Sequence, residues 1–363
     1  MGGDVRLKKI FQSYWTKFRY ALFVGLKQPV MRHPKLYCLQ RVLRKLDDES
    51  FMERIIGSDT ILIRHYGEQN KNRNVYLIRI THRAGFCSAL RSVQRGLFDA
   101  DNLDCVPVVE FVPDSVYAEK EPLFNTTNPF EYYFCQTSDI SLEEAYHSNR
   151  VFVFEESFCL PRIERDLFDD DVNSSAYIVT DDYLRKLAQV HKKYVILNER
   201  TQKYISDSVQ SLYTGDWKNV IGVHIRGTDF LHKWKDHPIA VLPEDYFPEI
   251  DNALNTGFQQ VFLATDDENY LTLFQERYGK KLLSFDDVCR GTGEINIAFV
   301  ENERKHHAYL NGLEVLRDAY VLARCGGLIA GLSQVSMQAR ILKFSQCEEY
   351  RFIRILDKGI YQG

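Results

Sequence analysis

The sequence lacks the features that mark several large classes of protein. No run approaches the roughly 20 apolar residues that a transmembrane helix needs, and no secretory signal pattern with a small-residue cleavage site is present. The eight cysteines include no CxxC pair, which disfavours a zinc ribbon and favours buried free thiols in a reducing compartment. We therefore expect a cytoplasmic protein.

The charge balance and the missing nucleotide motifs exclude further classes. The net charge is -4 and the pI is about 6.2, whereas a dedicated nucleic-acid binder usually carries a strong basic excess. The sequence has no GxxxxGK[ST] P-loop and no GxGxxG fingerprint, which disfavours P-loop NTPases and dinucleotide oxidoreductases. We expect no nucleic-acid partner.

What remains is an ordinary globular composition over 363 residues, with 45% hydrophobic and 26% charged residues. The length suggests two domains or more. The acidic stretch 164–175 is typical of a linker, and we place the boundaries accordingly. The predicted units are an N-terminal basic and helical segment over residues 1–50, an α/β domain over 51–175 and a second α/β domain over 176–363.

Residues 5–27 carry six basic side chains and no acidic one, and their apolar residues recur at helical spacing. Such a basic amphipathic helix suits peripheral contact with an anionic membrane surface. The same pattern also suits a helix that packs on its own protein and keeps a solvated basic face. Both interpretations stay open at this point.

The order of predicted elements indicates parallel sheets. Residues 74–80 and 105–111 are predicted strands that flank a helix starting after Gly85, a turn where a helix N-terminus can meet a ligand, and a short strand is predicted at 151–154. The C-terminal half alternates strands with helices, which predicts a parallel sheet covered on both faces. Its predicted strands are 220–225, 259–264, 281–285 and 328–332.

Polar side chains follow three of these C-terminal strands, at the edge where ligands bind to open parallel sheets. An Arg beside a glycine turn and a helix N-terminus suits a phosphate group, because both supply hydrogen-bond donors and positive charge. Structural roles are the alternatives: a salt bridge from Arg226 to Asp229, helix capping by Asp266 and Asp267, and a core position for His224. The candidates are His224, Arg226, Gly227, Thr228 and Asp229 after the first strand, Thr265, Asp266 and Asp267 after the second, and Ser333 and Gln334 after the fourth.

Three motifs in this region resemble those of the α1,2/α1,6 and protein O-fucosyltransferase superfamily. The first is the strand 221–225 with its His-x-Arg ending at Arg226 and an Asp shortly after, and the second is a strand ending in Thr265-Asp266. The third places Asp318 before Gly326 and then Ser333-Gln334-Val335. The match is closest to the α1,6-fucosyltransferases, which include the nodulation enzymes of rhizobia, and it covers residues 220–345.

The resemblance implies a GT-B fold, with two Rossmann-like parallel-sheet domains facing a cleft and the donor on the C-terminal one. It implies an inverting reaction that needs no metal and no cofactor beyond the nucleotide-sugar donor. By motif, Arg226 would hold the β-phosphate of GDP-fucose, with His224 and Asp318 near the guanine. Ser333 and Gln334 would lie near the phosphates and ribose, and Thr265 and Asp266 belong to the same donor site.

One departure is that Gly227 stands where the α1,6 branch has a second Arg. The function that the resemblance implies is transfer of a sugar to a glycan hydroxyl, with GDP-fucose as the expected donor. The alternatives are another nucleotide sugar and a non-catalytic glycan-binding relative. The acidic run 169–171 imitates a metal-binding DxD motif, but its polar surroundings indicate a solvated loop.

An inverting transfer also needs a base for the acceptor hydroxyl, and the loop after Arg226 can reach the acceptor side. Asp236 is the expected base, with a purely structural loop role as its alternative. Asp229 is the reserve, since pairing with the adjacent Arg226 would lower its pKa and make it a poor base.

Overall fold

A computed structural model describes residue 39 and residues 63–156, 177–293, 297, 300 and 302–362. The predicted basic segment at 5–27 and the acidic run at 169–171 lie outside the described residues, so both stay predictions. Within the described residues no helix is long and apolar enough to cross a membrane.

A four-stranded sheet occupies the first part of the chain, and it is parallel except at one edge. Its strands lie in the order β1-β4-β2-β3, with β1 antiparallel to β4 and the other three parallel. The predicted β-α-β unit is confirmed, because α1 connects the parallel neighbours β2 and β3. The elements are β1 (Ile63–Arg64), β2 (Val75–Ile80), α1 (Phe86–Asn102), β3 (Val106–Phe111), α2 (Leu142–Ala145) and β4 (Val151–Glu156).

The second sheet has five strands, and all of them are parallel. Two helices precede it, α3 (Asp181–Tyr194) and α4 (Glu199–Leu212). Its elements are β5 (Val220–Ile225), α5 (Pro243–Asn255), β6 (Gln260–Thr265), α6 (Glu268–Tyr278), β7 (Leu282–Leu283), α7 (His307–Arg324), β8 (Gly327–Gly331), α8 (Gln334–Ser345) and β9 (Phe352–Leu356).

The strand order of this second sheet determines where a ligand can bind. It reads β7-β6-β5-β8-β9, so the chain first builds outward from β5 on one side and then returns to add β8 on the other. This is the Rossmann-like order, and the crevice where it reverses is the usual ligand site of such sheets. The reversal lies between β5 and β8, at the carboxyl ends that carry Arg226 and Ser333.

The hydrophobic core runs without a break from one sheet to the other. Ile78 of β2, Leu90 of α1, Leu316 of α7 and Phe262 of β6 all belong to one buried cluster. Alternate strand residues such as Leu77 face a separate cluster on the opposite side of the first sheet, as the two-residue period of a strand requires. The helices between the sheets therefore hold the two sheets in one packed arrangement.

A buried polar contact fixes these shared helices against each other. Gln94 of α1 donates from Nε2 to Oε1 of Gln338 in α8 at 3.0 Å, and the same nitrogen lies 3.0 Å from Nδ1 of His191 in α3. Burial lowers the pKa of His191 to about 4, so its ring is neutral at neutral pH and can accept at Nδ1. Three helices are thereby held in register at one point.

Capping residues explain where several helices begin. Ser333 accepts a hydrogen bond from Ser336 N at the start of α8, and Asp267 accepts from Asn269 N and Tyr270 N at the start of α6. The predicted helical region 181–212 is two helices, because Asn198 caps a second one. The sequence did not predict α5 or β9. The predicted α/β class, with two mainly parallel sheets, is confirmed.

Candidate functional site

The turn that follows β5 is organised by the carboxylate of Asp266, which follows the neighbouring strand β6. Asp266 Oδ2 forms an ion pair with Arg226 Nη1 at 3.0 Å and accepts from Thr228 Oγ1 at 2.8 Å. Its Oδ1 accepts from the backbone N–H of Gly227 at 2.9 Å. The carboxylate therefore binds three consecutive residues of the turn and sets the direction of the Arg226 side chain. Arg226 thus has an ion-pair partner in Asp266. The predicted alternative, a salt bridge to Asp229, stays a prediction, because the Asp229 side chain lies outside the described part of the structure.

The backbone of this turn is tight and strained. Thr228 is fully buried and has a φ of 43°, a left-handed conformation that β-branched residues rarely adopt. Such a conformation costs on the order of 1–3 kcal/mol and persists only where the surroundings hold it, as Asp266 does here. Strain of this kind is concentrated at functional sites.

Gly227 is required by the close approach of the next strand end. A Cβ built on Gly227 would lie 2.7 Å from Cβ of Asp267, which is itself buried and caps α6. A larger residue therefore cannot be placed on this backbone without moving the start of α6. The backbone at this turn therefore favours glycine at position 227.

Thr265 and Asp267 have structural partners. Thr265 Oγ1 accepts from Asp267 N at 3.3 Å, and its backbone oxygen accepts from Arg290 Nε at 3.2 Å. Asp267 is a helix cap, as the sequence alternative proposed, while Asp266 is the anchor of the β5 turn. Thr265 does not line the pocket beside Arg226.

The end of β8 meets the end of β5 through a buried hydrogen bond. Ser333 Oγ lies 3.1 Å from Nδ1 of His224, and both side chains are buried. The backbone oxygen of His224 accepts from the hydroxyl of Tyr246 in α5 at 3.1 Å. The start of α8, with Gln334 as its half-buried first residue, is thereby fixed against the strand that carries Arg226.

The His224 ring is neutral at neutral pH. Burial lowers its pKa to about 4, and the positive charge of Arg226 lowers it further, while Asp266 opposes the shift. A neutral imidazole can donate or accept a hydrogen bond. His224 is therefore suited to form a hydrogen bond with a polar ligand, and not an ion pair.

A small pocket lies where these parts meet, at the reversal of strand order between β5 and β8. Arg226 and His224 line it from β5, and Gly331 and Ser333 line it from β8. Phe230 lies beside them, with the Arg226 guanidinium carbon 5.7 Å from its ring centre. The pocket combines a cation, the N-terminus of a helix and an aromatic wall, which together suit an anionic group.

Asp318 of α7 is a partly buried carboxyl group whose pKa is raised. Burial raises its pKa to about 7, against the lowering effect of Arg317 and Arg290. Among the described residues no hydrogen bond or ion pair joins it to another side chain. A carboxyl group that is half protonated near neutral pH and unsatisfied within the protein is suited to contact a polar ligand.

The N-terminus of α1 brings the first sheet to the same region. Cys87, in the first turn of α1, is within the electrostatic reach of both Arg226 and Asp318, and its pKa is raised to about 12 mainly by burial. Gly85 precedes this helix, and no side chain caps its first backbone N–H groups. A Cβ built on Gly85 would meet nothing within 4 Å, so the predicted ligand-facing turn has open space in front of it.

The loop after Arg226 holds the predicted bases. Asp236 is exposed and has a φ of 63°, and its backbone N–H donates to Tyr361 O at 3.0 Å. Asp229 belongs by its backbone to the short 3-10 helix Thr228–His232, but its side chain lies outside the described part of the structure. Their roles as base and reserve therefore stay predictions.

The sequence offered weak signals for three residues that the structure adds to the site. Tyr246 lies in α5, Phe230 packs against Arg226, and Trp234 projects from the same loop. Aromatic residues in the loop could have been noted, but their partners are distant in sequence.

In the described part of the chain, no group of three or more His, Cys, Asp or Glu side chains is placed to hold a metal ion.

Comparison with known proteins gives similarity at the level of structure. Neither a family model nor a curated protein sequence matches this chain. Similar solved structures include NodZ alpha-1,6-fucosyltransferase soaked with GDP-fucose, at 16% identity and a TM-score of 0.47, covering 74% of this chain and 92% of that one. NodZ from Bradyrhizobium gives 15% and 0.46, covering 75% and 93%.

A second group of similar structures is POFUT1, whose complex with GDP-fucose is 11% identical with a TM-score of 0.43, covering 79% of this chain and 99% of that one.

Replacing Asp318 by Asn should make the protein more stable, and the gain should depend on pH. A carboxyl group whose pKa is raised on folding opposes folding as the pH rises from about 4 to about 7. Because Asp318 is only partly buried, we expect the gain to grow by on the order of 1 kcal/mol between pH 4 and pH 8. Urea denaturation of wild type and Asp318→Asn at pH 4, 6 and 8 measures it. A difference that stays constant across this range would contradict the assignment.

Proposed function

We propose that this protein is an inverting glycosyltransferase that moves a sugar, fucose from GDP-fucose, to a glycan hydroxyl without a metal. The observation that carries the proposal is the pocket at the reversal of strand order, where Arg226 and the N-terminus of α8 converge. The diphosphate of the donor would bind there, because both groups supply positive charge to its oxygens.

Asp266 supports this role for Arg226. The ion pair at 3.0 Å places the guanidinium at the pocket before a ligand arrives. Preorganised donors stabilise charge that develops in a transition state without a cost of reorganisation at the moment of reaction. In this reaction the bond between the anomeric carbon and the phosphate oxygen breaks, and the leaving GDP gains the negative charge that Arg226 faces.

The base of the nucleotide would lie against His224 and Asp318. His224 is neutral, and Asp318 has a raised pKa and no hydrogen bond among the described residues. Guanine carries two adjacent N–H donors on one edge, so a carboxylate is its natural partner.

The acceptor oxygen would attack the anomeric carbon from the face opposite GDP, and its proton would go to Asp236. Asp236 is exposed on the loop that leaves the Arg226 turn, so it is accessible to an acceptor. Asp229 remains the reserve for this role. There are two alternatives: a different nucleotide sugar as the donor, and a glycan-binding protein without catalytic activity. The assays below distinguish them.

Replacing Arg226 by Ala should reduce transfer at least about 100-fold, because a positioned cation facing the leaving group is lost. The fold should persist, since Asp266 keeps its hydrogen bonds to Gly227 and Thr228. Release of GDP from GDP-fucose with an oligosaccharide mixture, in EDTA, measures the loss, with UDP- and dTDP-sugars in parallel. Arg277→Ala on α6, which breaks the ion pair of Arg277 with Asp251 of α5, is the control. Near-normal transfer by a folded Arg226→Ala would refute the phosphate assignment.

Replacing Asp236 by Asn should lower transfer by about 100-fold or more, because the acceptor proton loses its base. GDP affinity, measured by calorimetry, should stay within about twofold of wild type, since this residue faces the acceptor and not the nucleotide. Asp207→Asn, at an exposed carboxylate on α4, is the matched control. If transfer persists, or falls together with GDP affinity, Asp236 is not the base, and Asp229→Asn then tests the reserve.

A further inference from the structure

Four aromatic rings of the loop between the Arg226 turn and α5 gather with the ring of Tyr177, which precedes α3. Phe230 and His237 contact each other and Tyr177, with ring centres 5.6 to 6.1 Å apart. Trp234 extends this group outward, with its ring edge-on to His237 at 5.3 Å. The cluster therefore runs from the pocket that holds Arg226 to the protein surface.

Trp234 is the exposed end of this cluster. Its side chain is 49% exposed, although its ring is stacked on His232 at 5.3 Å with only 10° between the planes. An indole left half in water loses much of the stabilisation that burial would give it. The rings of His232 and His237 contact the indole and leave part of its surface open to solvent.

The loop that carries Trp234 is held in place by the end of the chain. Tyr361 O accepts from Asp236 N at 3.0 Å, and Tyr361 N donates to His237 O at 2.9 Å. Gly359 O accepts from Ile239 N at 2.9 Å. The segment 359–361 thus pairs with residues 236–239 like an added strand and holds the backbone of the loop that carries the indole.

We propose that Trp234 binds a sugar ring of the acceptor, an inference that rests on the proposed function of the neighbouring pocket. A pyranose presents C–H groups on one face and hydroxyls around its rim. The electron-rich face of an indole attracts such C–H groups. The exposed neighbours of Trp234 along the loop, His232, Lys233, Lys235 and Asp236, offer polar partners for the hydroxyls.

The position of Trp234 favours this occupant. Trp234 precedes the proposed base by two residues, and Phe230 of the same cluster lines the pocket of Arg226. A sugar on the indole would therefore place a hydroxyl near both Asp236 and the donor. The basic pair Lys233 and Lys235 would also suit an anionic membrane, and the experiment separates these two occupants.

The test uses a glycan array probed with the full-length protein in the presence of GDP, followed by titration of the glycan that wild type binds best. Trp234→Ala should weaken that binding at least about tenfold and raise the KM for the same glycan while leaving GDP affinity unchanged. Trp234→Phe, which keeps an aromatic face, should restore most of the binding. Ile353→Ala, which removes a side chain of similar exposure on β9, is the control and should match wild type.

The outcomes distinguish the role of Trp234 from the proposed function of the donor pocket. If wild type binds GDP but no glycan, or if Trp234→Ala binds glycan as wild type does, the inference about Trp234 is overturned and the donor pocket stands. If Trp234→Ala instead loses only its binding to phosphatidylserine vesicles, the indole is a membrane contact and the inference is again overturned. If wild type does not bind GDP, the proposed function itself fails.

Discussion

The Asp266 carboxylate is the constraint on which the candidate site depends. It binds Arg226, Gly227 and Thr228 together, and so it holds a strained turn and directs a guanidinium with the same two oxygens. The neighbouring Asp267 makes the turn tighter, because its Cβ leaves room only for glycine at position 227. One pair of adjacent carboxylates at the end of β6 therefore fixes both the charge of the pocket and its backbone shape.

Helix α8 connects this site to the body of the protein. Its first turn meets β5 through Ser333 and His224, and its middle meets α1 through the buried Gln94–Gln338 hydrogen bond. Gln94 in turn contacts His191 of α3. A shift of the first sheet would therefore also move the N-terminus of α8, which faces the pocket. Gln94 is fully buried, so its contacts with Gln338 and His191 lie away from solvent.

Much of this arrangement could be predicted from local sequence signals. The run 220–225 predicted β5 with the observed bounds, and Ser333 was predicted as the cap of α8, because alternation of apolar segments and capping residues are local features. The ion pair between Arg226 and Asp266 could not be found in this way, since Asp266 is far away in sequence and only the nearer Asp229 was considered. Strand β9 was missed because its pattern is short and interrupted by Arg354.

The central claim is that the crevice between β5 and β8 binds a diphosphate through Arg226. Calorimetric titration of wild type and Arg226→Ala with GDP and with GMP tests this directly, because the two ligands share guanine and ribose and differ by one phosphate. Wild type should prefer GDP over GMP at least about tenfold, and Arg226→Ala should lose that preference while binding GMP as wild type does. An unchanged preference in Arg226→Ala, or equal loss of both ligands, would contradict the account.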